Sequence, residues 1–442
     1  MNLRDAVKKL TALIKRLKGE MSSADGVRVY GINTDFVTFS EANLGDLILT
    51  DSDAKEYRQC VDAIYAQVAG KAEHISRSAV ESFIQSAMLR AIDPIQAAVE
   101  KDFPKRLESA LVALKEELKA KPSIWEIHFP VDGVLTDNLP LIFGRCHFYF
   151  GDPTEVSGLL ERINRVIVSA VGDDSAQTVN QDVATRIRSL VSGKTWLATL
   201  VEAVDGEAAR RAARKRVRQT ADILNFYANL GGRAPSQVLL AEDPRPGILN
   251  TFLFSEDPPA FQPPSERVGP IAQFSFAAPD LAQAGFERIS NMLKSRAPSE
   301  FEDRVIRAFQ WAGKASVEPR KEEAFLLFTI SLESLLLERN DKSEITETLA
   351  LRAAHLISAP STRLMVYRDM KRLYGIRSKI VHSGSVDVGE DQLSEIRYYT
   401  RFALLTLLCS SRYLTMTKDA ELMDWFRARL LNTPQNDKDH VA

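Results

Sequence analysis

The chain has 442 residues, 45% of them hydrophobic and 26% charged, and its formal net charge is -2. This length and composition predict roughly two or three folded domains. The near-zero charge excludes a strong overall field for nucleic acid, so any anion-binding surface must be a local patch. Three cysteines far apart exclude a disulfide framework and favour a reducing, cytoplasmic compartment. No apolar run of about 18 residues occurs, so no membrane-spanning segment is predicted.

The N-terminal region, residues 1–277, is predicted to be mixed α/β and to act as a sensor or regulator of the rest. A helix with a periodic apolar face opens it over 1–20, and we expect this helix to dock on the protein or a partner rather than on a membrane. Residues up to about 120 are predicted to be mainly helical, with short strands within 27–49. From 121 to 277, strands are predicted at 124–129, 141–150, 196–201, 237–240, 248–254 and 271–276, and helices at 153–171, 175–190 and 206–230.

Several local patterns in this region resemble binding motifs without completing one. The Ser-Gly-Lys-Thr run at 192–195 has Arg188 where a phosphate-binding loop needs its first glycine, so no nucleotide site is predicted there. The Cys146-His147 pair has no second pair at ligand spacing, so no metal is predicted. Six cations within 210–218 predict a solvated, ion-paired helix face, with an RNA contact as the alternative. Seven prolines within 244–270 predict a loop, since proline removes backbone donors.

The C-terminal part changes to helical periodicity throughout. We expect connecting helices over 278–318, a helical bundle of four to five members over 319–420, and a tail over 421–442. Within the bundle, helices are predicted at 323–337, 343–357 and 362–373, then a separate helix carrying the motif described below, then 392–414. Glu333 lies in the apolar first helix. A buried carboxylate is costly unless it is paired, so Arg377 or Arg352 is its predicted partner.

One stretch near the C-terminus combines the groups needed to cut RNA without a metal. It reads Leu-Tyr-Gly-Ile-Arg-Ser-Lys-Ile-Val-His-Ser-Gly from Leu373, with Arg377 five positions before His382. Arginine offers a permanent fork of donors to phosphate oxygens, and histidine transfers protons near neutral pH. On an ideal helix these two side chains lie about 140° apart. Either the helix ends at the motif, as Ser383-Gly384 indicates, or a second subunit completes the site, and both favour a dimer.

Together with the run Ser-Leu-Glu-Ser-Leu-Leu at 331–336, this motif resembles the ApeA-like HEPN domain family over about 324–414. The whole chain is predicted to be α+β, with the mixed N-terminal region followed by a helical bundle. The resemblance implies that this all-α bundle is of the HEPN type. It implies metal-independent RNA cleavage, without a cofactor, at a homodimer interface, in toxins, abortive infection and phage defence. Arg377 would bind the scissile phosphate and His382 would transfer the proton, leaving a 2′,3′-cyclic phosphate and a 5′-hydroxyl. Ser378 and Glu333 would support them.

The charge around the motif is locally basic. Residues 363–382 hold six cations against one anion in a chain whose total charge is -2. The candidates for binding RNA phosphates are Arg368, Lys371, Arg372 and Lys379. Tyr374 is either a core residue or a platform on which a base stacks. The predicted partners are RNA, with tRNA among the candidates, a second copy or a higher homo-oligomer, and a phage-derived trigger or an antitoxin.

Two other functions remain open at this point. A non-catalytic HEPN module would only dimerise or bind nucleic acid, and the activity would lie in the N-terminal region. Alternatively, Tyr374 or a nearby hydroxyl would accept a nucleotide from a partner enzyme. The first predicts salt-dependent RNA binding without cleavage, and the second predicts a mass shift after co-expression with that partner.

Overall fold

The computed structural model describes most of the chain, with several gaps. The described residues are 5–6, 8–13, 36–41, 45–68, 75–92, 122–134, 141–150, 152–171, 181, 184–189, 192, 194–230, 237–240, 253–256, 259–262, 274–275, 280–338, 344–383 and 387–431. The strand expected near residues 27–30, the helical pattern expected over 93–120 and the end of the predicted tail lie outside them.

The fold is α+β, as the sequence predicts, and it divides into two compact units. One comprises Met1–Ile127 with Leu200–Lys215, and the other comprises His128–Thr199 with Arg216–Ala442. This division differs from the predicted boundary near residue 278. In the second unit, strand and helix residues from both sides of that position share one hydrophobic core, which includes Phe148, Phe226 and Phe309. A change of periodicity along the sequence therefore does not mark a change of core.

The first unit contains a β-hairpin and helices. Strands β1 (Phe36–Glu41) and β2 (Gly45–Thr50) pair antiparallel, and helices α1 (Asp51–Val68) and α2 (Arg77–Ile92) follow. The helix predicted at the N-terminus is present over the described part of residues 5–13. Its Leu10 and Leu13 are fully buried, as an apolar face that docks on the protein requires.

A five-stranded sheet has the order β4-β5-β6-β3-β7. Its strands are β3 (Ser123–Asp132), β4 (Leu141–Phe143), β5 (Cys146–Tyr149), β6 (Thr195–Ala203) and β7 (Leu239–Leu240). Side chains alternate along β5, so Cys146 and Phe148 are buried while His147 and Tyr149 are half-buried on the opposite face. Helices α3 (Pro153–Val171) and α4 (Gly206–Ala228) flank β6 in sequence.

The proline-rich stretch contains a second hairpin, in which strands β8 (Leu253–Glu256) and β9 (Pro259–Gln262) pair antiparallel. Strand β8 overlaps the strand predicted over 248–254, whereas β9 lies where a loop was predicted. The loop prediction was wrong at β9 because proline is tolerated as the first residue of a strand, which is the position of Pro259. Of the strand predicted over 271–276, the described part shows a single bridge between Val134 and Phe274.

The remainder of the second unit is helical. Its elements are α5 (Asp280–Gln283), α6 (Phe286–Lys294), α7 (Glu300–Val317), α8 (Lys321–Leu336), α9 (Ile345–Ile357), α10 (Arg363–Ser383), α11 (Glu390–Cys409), a 3-10 turn (Ser411–Tyr413) and α12 (Asp419–Leu430). Two differences from the sequence prediction follow from burial. Helix α7 is a core helix rather than a connection, since Phe301 and Phe309 are fully buried, and α12 packs Trp425 and Phe426 inward where a tail was predicted.

Candidate functional site

Helix α10 carries the whole Arg/His motif without interruption. The sequence predicts a break near Leu373, but the helix runs from Arg363 to Ser383. Glycine at 375 weakens a helix only modestly, and an added Cβ there would meet open space. Packing stabilises the helix across this glycine, because one face of α10 is buried in the core. The buried residues of that face are Val366, Met370, Leu373, Tyr374 and Ile380.

Arg377 lies on the inward side of α10 and is paired within the bundle. Its Nε lies 3.1 Å from Oε1 of Glu333 on α8, and the two side chains are 27% and 21% exposed. Of the two partners predicted for Glu333, Arg377 is the one observed. Arg352 instead donates from Nη1 to the Leu336 carbonyl at 2.6 Å, at the end of α8. The two facing atoms are buried and form no hydrogen bond within the described part of the chain, so the pair braces α10 against α8 by charge attraction.

Tyr374 completes this cluster from inside the bundle. The guanidinium of Arg377 lies 5.4 Å from the centre of the Tyr374 ring, within range of a cation–π contact. Burial, followed by the negative charge of Glu333 and a hydrogen bond to it, raises the pKa of Tyr374 to about 12. The ring is buried. Of the two roles predicted for Tyr374, the core residue is therefore observed, and the base-stacking platform is not.

His382 lies on the outward side of the last turn of α10. It is exposed, and its neighbour Val381 is 52% exposed. Because α10 continues through the motif, Arg377 and His382 lie about 140° apart around the helix and about 7.5 Å apart along its axis. The helix ends at Ser383, where the Ser383-Gly384 pair predicts an end, but this end lies after both side chains and does not bring them together. Ser378, next to Arg377, is half-buried.

Two of the predicted phosphate ligands on α10 are bound by carboxylates of neighbouring helices. Lys371 Nζ lies 2.9 Å from Oε2 of Glu347 on α9, and this hydrogen bond raises the lysine pKa. Arg372 pairs with Glu395 on α11, which raises the arginine pKa. The local basic charge counted along the sequence is therefore reduced in three dimensions. Glu347 and Glu395 were not predicted as partners of these cations because they lie far from the motif in the chain.

The other two predicted phosphate ligands, Arg368 and Lys379, are exposed on the same outward face of α10 as His382. Arg368 forms no ion pair within the described part of the chain. This outward face is formed by Arg368, Lys371, Arg372, Lys379 and His382, and we call it the cationic face. It is distinct from the inward cluster of Glu333, Tyr374 and Arg377.

Other arginines of the bundle serve its stability. Arg304 on α7 is 5% exposed and binds both carboxylate oxygens of Asp419 at 2.8 Å. It also donates to the Leu337 carbonyl at 2.8 Å, after the end of α8. Bidentate pairing of this kind gives geometric specificity as well as energy. The Asp419 carboxylate thus ties the start of α12 to α7.

The described residues hold no group of three or more histidine, cysteine, aspartate or glutamate side chains that could bind a metal ion. Within the same residues, no helix combines the length and apolar character needed to cross a membrane. Comparisons of the chain with protein-family models, with curated proteins and with solved structures give no match.

Proposed function

We propose that this protein is a metal-independent endoribonuclease of an anti-phage abortive-infection or toxin system. His382 takes the proton of a ribose 2′-hydroxyl, the 2′ oxygen attacks the adjacent phosphorus, and the bond to the 5′ oxygen breaks. Arg377 stabilises the charge that develops on the phosphate. Water protonates the leaving 5′ oxygen, so the products are a 2′,3′-cyclic phosphate and a 5′-hydroxyl.

The observation that carries this proposal is the arrangement of the two groups on one continuous helix. His382 is exposed at the end of α10, whereas Arg377 points inward yet keeps 27% of its side chain exposed. One copy does not bring them side by side, because about 140° of helix rotation separates them. We therefore assign the active site to a homodimer, with Arg377 of one copy and His382 of the other at each of two symmetric sites.

A second function is favoured by the ion pairs. Arg377, Lys371 and Arg372 each have a carboxylate partner within the chain. These pairs suit a bundle that dimerises or binds nucleic acid without cutting it. Such a module would bind RNA with an affinity that falls with salt concentration, and it would leave the RNA intact.

Mixing two inactive variants tests the proposal directly. Arg377→Lys and His382→Ala are each expected to abolish cleavage of a 5′-labelled RNA in the presence of a chelator. In a mixed dimer, one of the two sites regains both wild-type groups. Random exchange of equal amounts then restores about a quarter of the wild-type activity, since half the dimers are mixed and each has one intact site. Without subunit sharing, mixing restores nothing.

Arg427→Ala is a matched control, because Arg427 on α12 is also an ion-paired arginine, bound to Glu338 and Asp424, and lies outside the Arg/His motif. It is expected to cleave RNA at the wild-type rate. Expression of the wild type should slow bacterial growth, and expression of the His382→Ala variant should not. If the purified wild-type protein binds RNA but does not cleave it, the ribonuclease proposal is wrong and the non-catalytic module is the better explanation.

A further inference from the structure

A cavity lies in the second unit, between one face of the sheet and helix α3, away from the Arg/His motif. It has a volume of about 240 Å³. Tyr149, Trp196 and His128 line it from the strands, and Glu155, Gly158 and Arg162 line it from α3, together with Val156 and Leu159.

The strand side of the cavity is an aromatic wall. Tyr149 on β5 lies opposite Trp196 on β6 in the strand register, so their side chains share one face of the sheet. The rings of His128 and Tyr149 are 5.7 Å apart between centres and tilted by 39°. The indole N–H of Trp196 is buried and has no hydrogen-bond acceptor in the described part of the chain. A planar ring system is the natural complement of such a wall.

The helix side of the cavity carries opposite charges at its two ends. Glu155, Gly158, Leu159 and Arg162 recur at the spacing of one helix face. Seven residues place Glu155 and Arg162 about 10.5 Å apart along α3. Glu155 is fixed in position because its Oε2 accepts the Phe150 N–H at 2.9 Å, and its other carboxylate oxygen remains available as an acceptor.

The middle of this face is open because of one glycine. A Cβ built at Gly158 would meet no atom within 4 Å. The sheet face and α3 share only a small apolar cluster around Val156 and Trp196. The other face of the sheet packs against the large core, so this side is left incompletely filled.

We propose that this cavity binds a nucleotide whose base carries an amino group. The base lies against Tyr149 and His128, its amino group donates to Glu155, and its phosphate meets Arg162. The ligand is either a free nucleotide or the terminal nucleotide of an RNA strand, since both present the same groups. The site is independent of the proposed ribonuclease chemistry, because none of its residues belongs to the Arg/His motif.

Isothermal titration calorimetry of the full chain tests this assignment with defined probes. The probes are adenosine monophosphate, uridine monophosphate, adenosine, inorganic phosphate and a short oligoadenylate. Adenosine monophosphate should bind best, since uridine lacks the amino group and adenosine lacks the phosphate. Loss of either contact is expected to weaken binding roughly tenfold to a hundredfold. Oligoadenylate binding equal to that of the mononucleotide identifies an RNA end as the source, and much weaker binding identifies a free nucleotide.

Three substitutions locate the binding in the cavity. Gly158→Leu fills the open space and should abolish nucleotide binding, while circular dichroism confirms that the helix content is kept. Val166→Leu on the same helix is the matched control, because Val166 is exposed and does not line the cavity. Arg162→Gln should reduce the affinity for the monophosphate to that for adenosine. The proposal is overturned if no probe binds, or if the Gly158→Leu protein binds like the wild type.

Discussion

The ion pair between Arg377 and Glu333 makes a quantitative prediction about the stability of the bundle. Replacing Arg377 by Met keeps most of the apolar stem and removes the charge. Replacing Glu333 by Gln keeps the shape and removes the opposite charge. The two single variants and the double variant form a cycle, whose coupling free energy isolates the pair from the losses that each substitution causes alone.

The expected magnitude follows from the geometry. Two unit charges 3.1 Å apart attract by about 5 kcal/mol at an effective dielectric constant of about 20. Desolvation of both groups offsets part of this attraction. Solvent also screens the pair, because roughly a quarter of each side chain is exposed. We therefore expect a coupling free energy of about 1–3 kcal/mol, above the typical value for fully exposed pairs.

Urea denaturation followed by circular dichroism measures the cycle at neutral pH. Arg377→Met should lower the free energy of unfolding by about 2 kcal/mol, because it leaves the Glu333 carboxylate without its cation. It also removes the contact with the ring of Tyr374. A coupling below about 0.5 kcal/mol would refute the role of this pair as a brace.

The same reasoning separates stability from catalysis. His382 is exposed at the end of α10, so His382→Ala should change the free energy of unfolding by no more than about 0.5 kcal/mol. A loss of RNA cleavage in this variant then reports on chemistry alone. Arg377 variants need the stability measurement beside the activity measurement, since both are expected to fall.

Three further predictions concern the pH dependence of stability and two glycines in helices. Burial and the charges of Arg363 and Arg429 lower the pKa of His355, so the unfolded chain binds more protons and stability should fall as pH drops below about 6.5. His355→Gln should flatten that pH dependence in urea titrations, and an unchanged slope would contradict the assignment. Gly313→Ala should destabilise by more than about 2 kcal/mol, because its Cβ would overlap a backbone carbonyl of α4. Gly375→Ala should stabilise by about 0.5–1 kcal/mol, and thermal melting distinguishes the two signs.

The pattern of apolar residues along the sequence was sufficient to predict the position of some helices and strands. The helix predicted over 153–171 has the same bounds in the structure, and the strand predicted over 196–201 lies within β6. The helix has one apolar face, and the strand is a nearly continuous apolar run whose residues 196–199 are all buried, so in both the local pattern agrees with the tertiary packing. The break predicted near residue 373 was wrong, because burial of the Ile380 side of α10 outweighs the modest helix penalty of Gly375.

Features that depend on distant residues could not be read from the sequence. The domain boundary predicted near residue 278 separates segments that share one core. Because burying an unpaired carboxylate is costly, Glu333 was predicted to pair with Arg377 or Arg352. In the structure its partner is Arg377. The HEPN resemblance rests on the sequence motif alone and stays a prediction.

Each of three helices packed around α10 contributes one carboxylate to a cation of that helix. Glu333, Glu347 and Glu395 bind Arg377, Lys371 and Arg372 in turn. An RNA strand that uses Lys371 and Arg372 must displace two of these carboxylates. If the cationic face binds RNA as proposed, these ion pairs compete with the phosphates and reduce the electrostatic part of the binding free energy.

Removing the competing carboxylates should reveal this competition. The Glu347→Gln and Glu395→Gln double variant releases Lys371 and Arg372 to contact phosphates. Each added phosphate contact steepens the dependence of log affinity on log salt by about 0.7 for a single strand. We expect a slope steeper by about 1.4 per copy in the double variant, measured by fluorescence anisotropy with a labelled single-stranded RNA and the His382→Ala background to prevent cleavage. An unchanged slope would show that bound RNA lies elsewhere on the molecule.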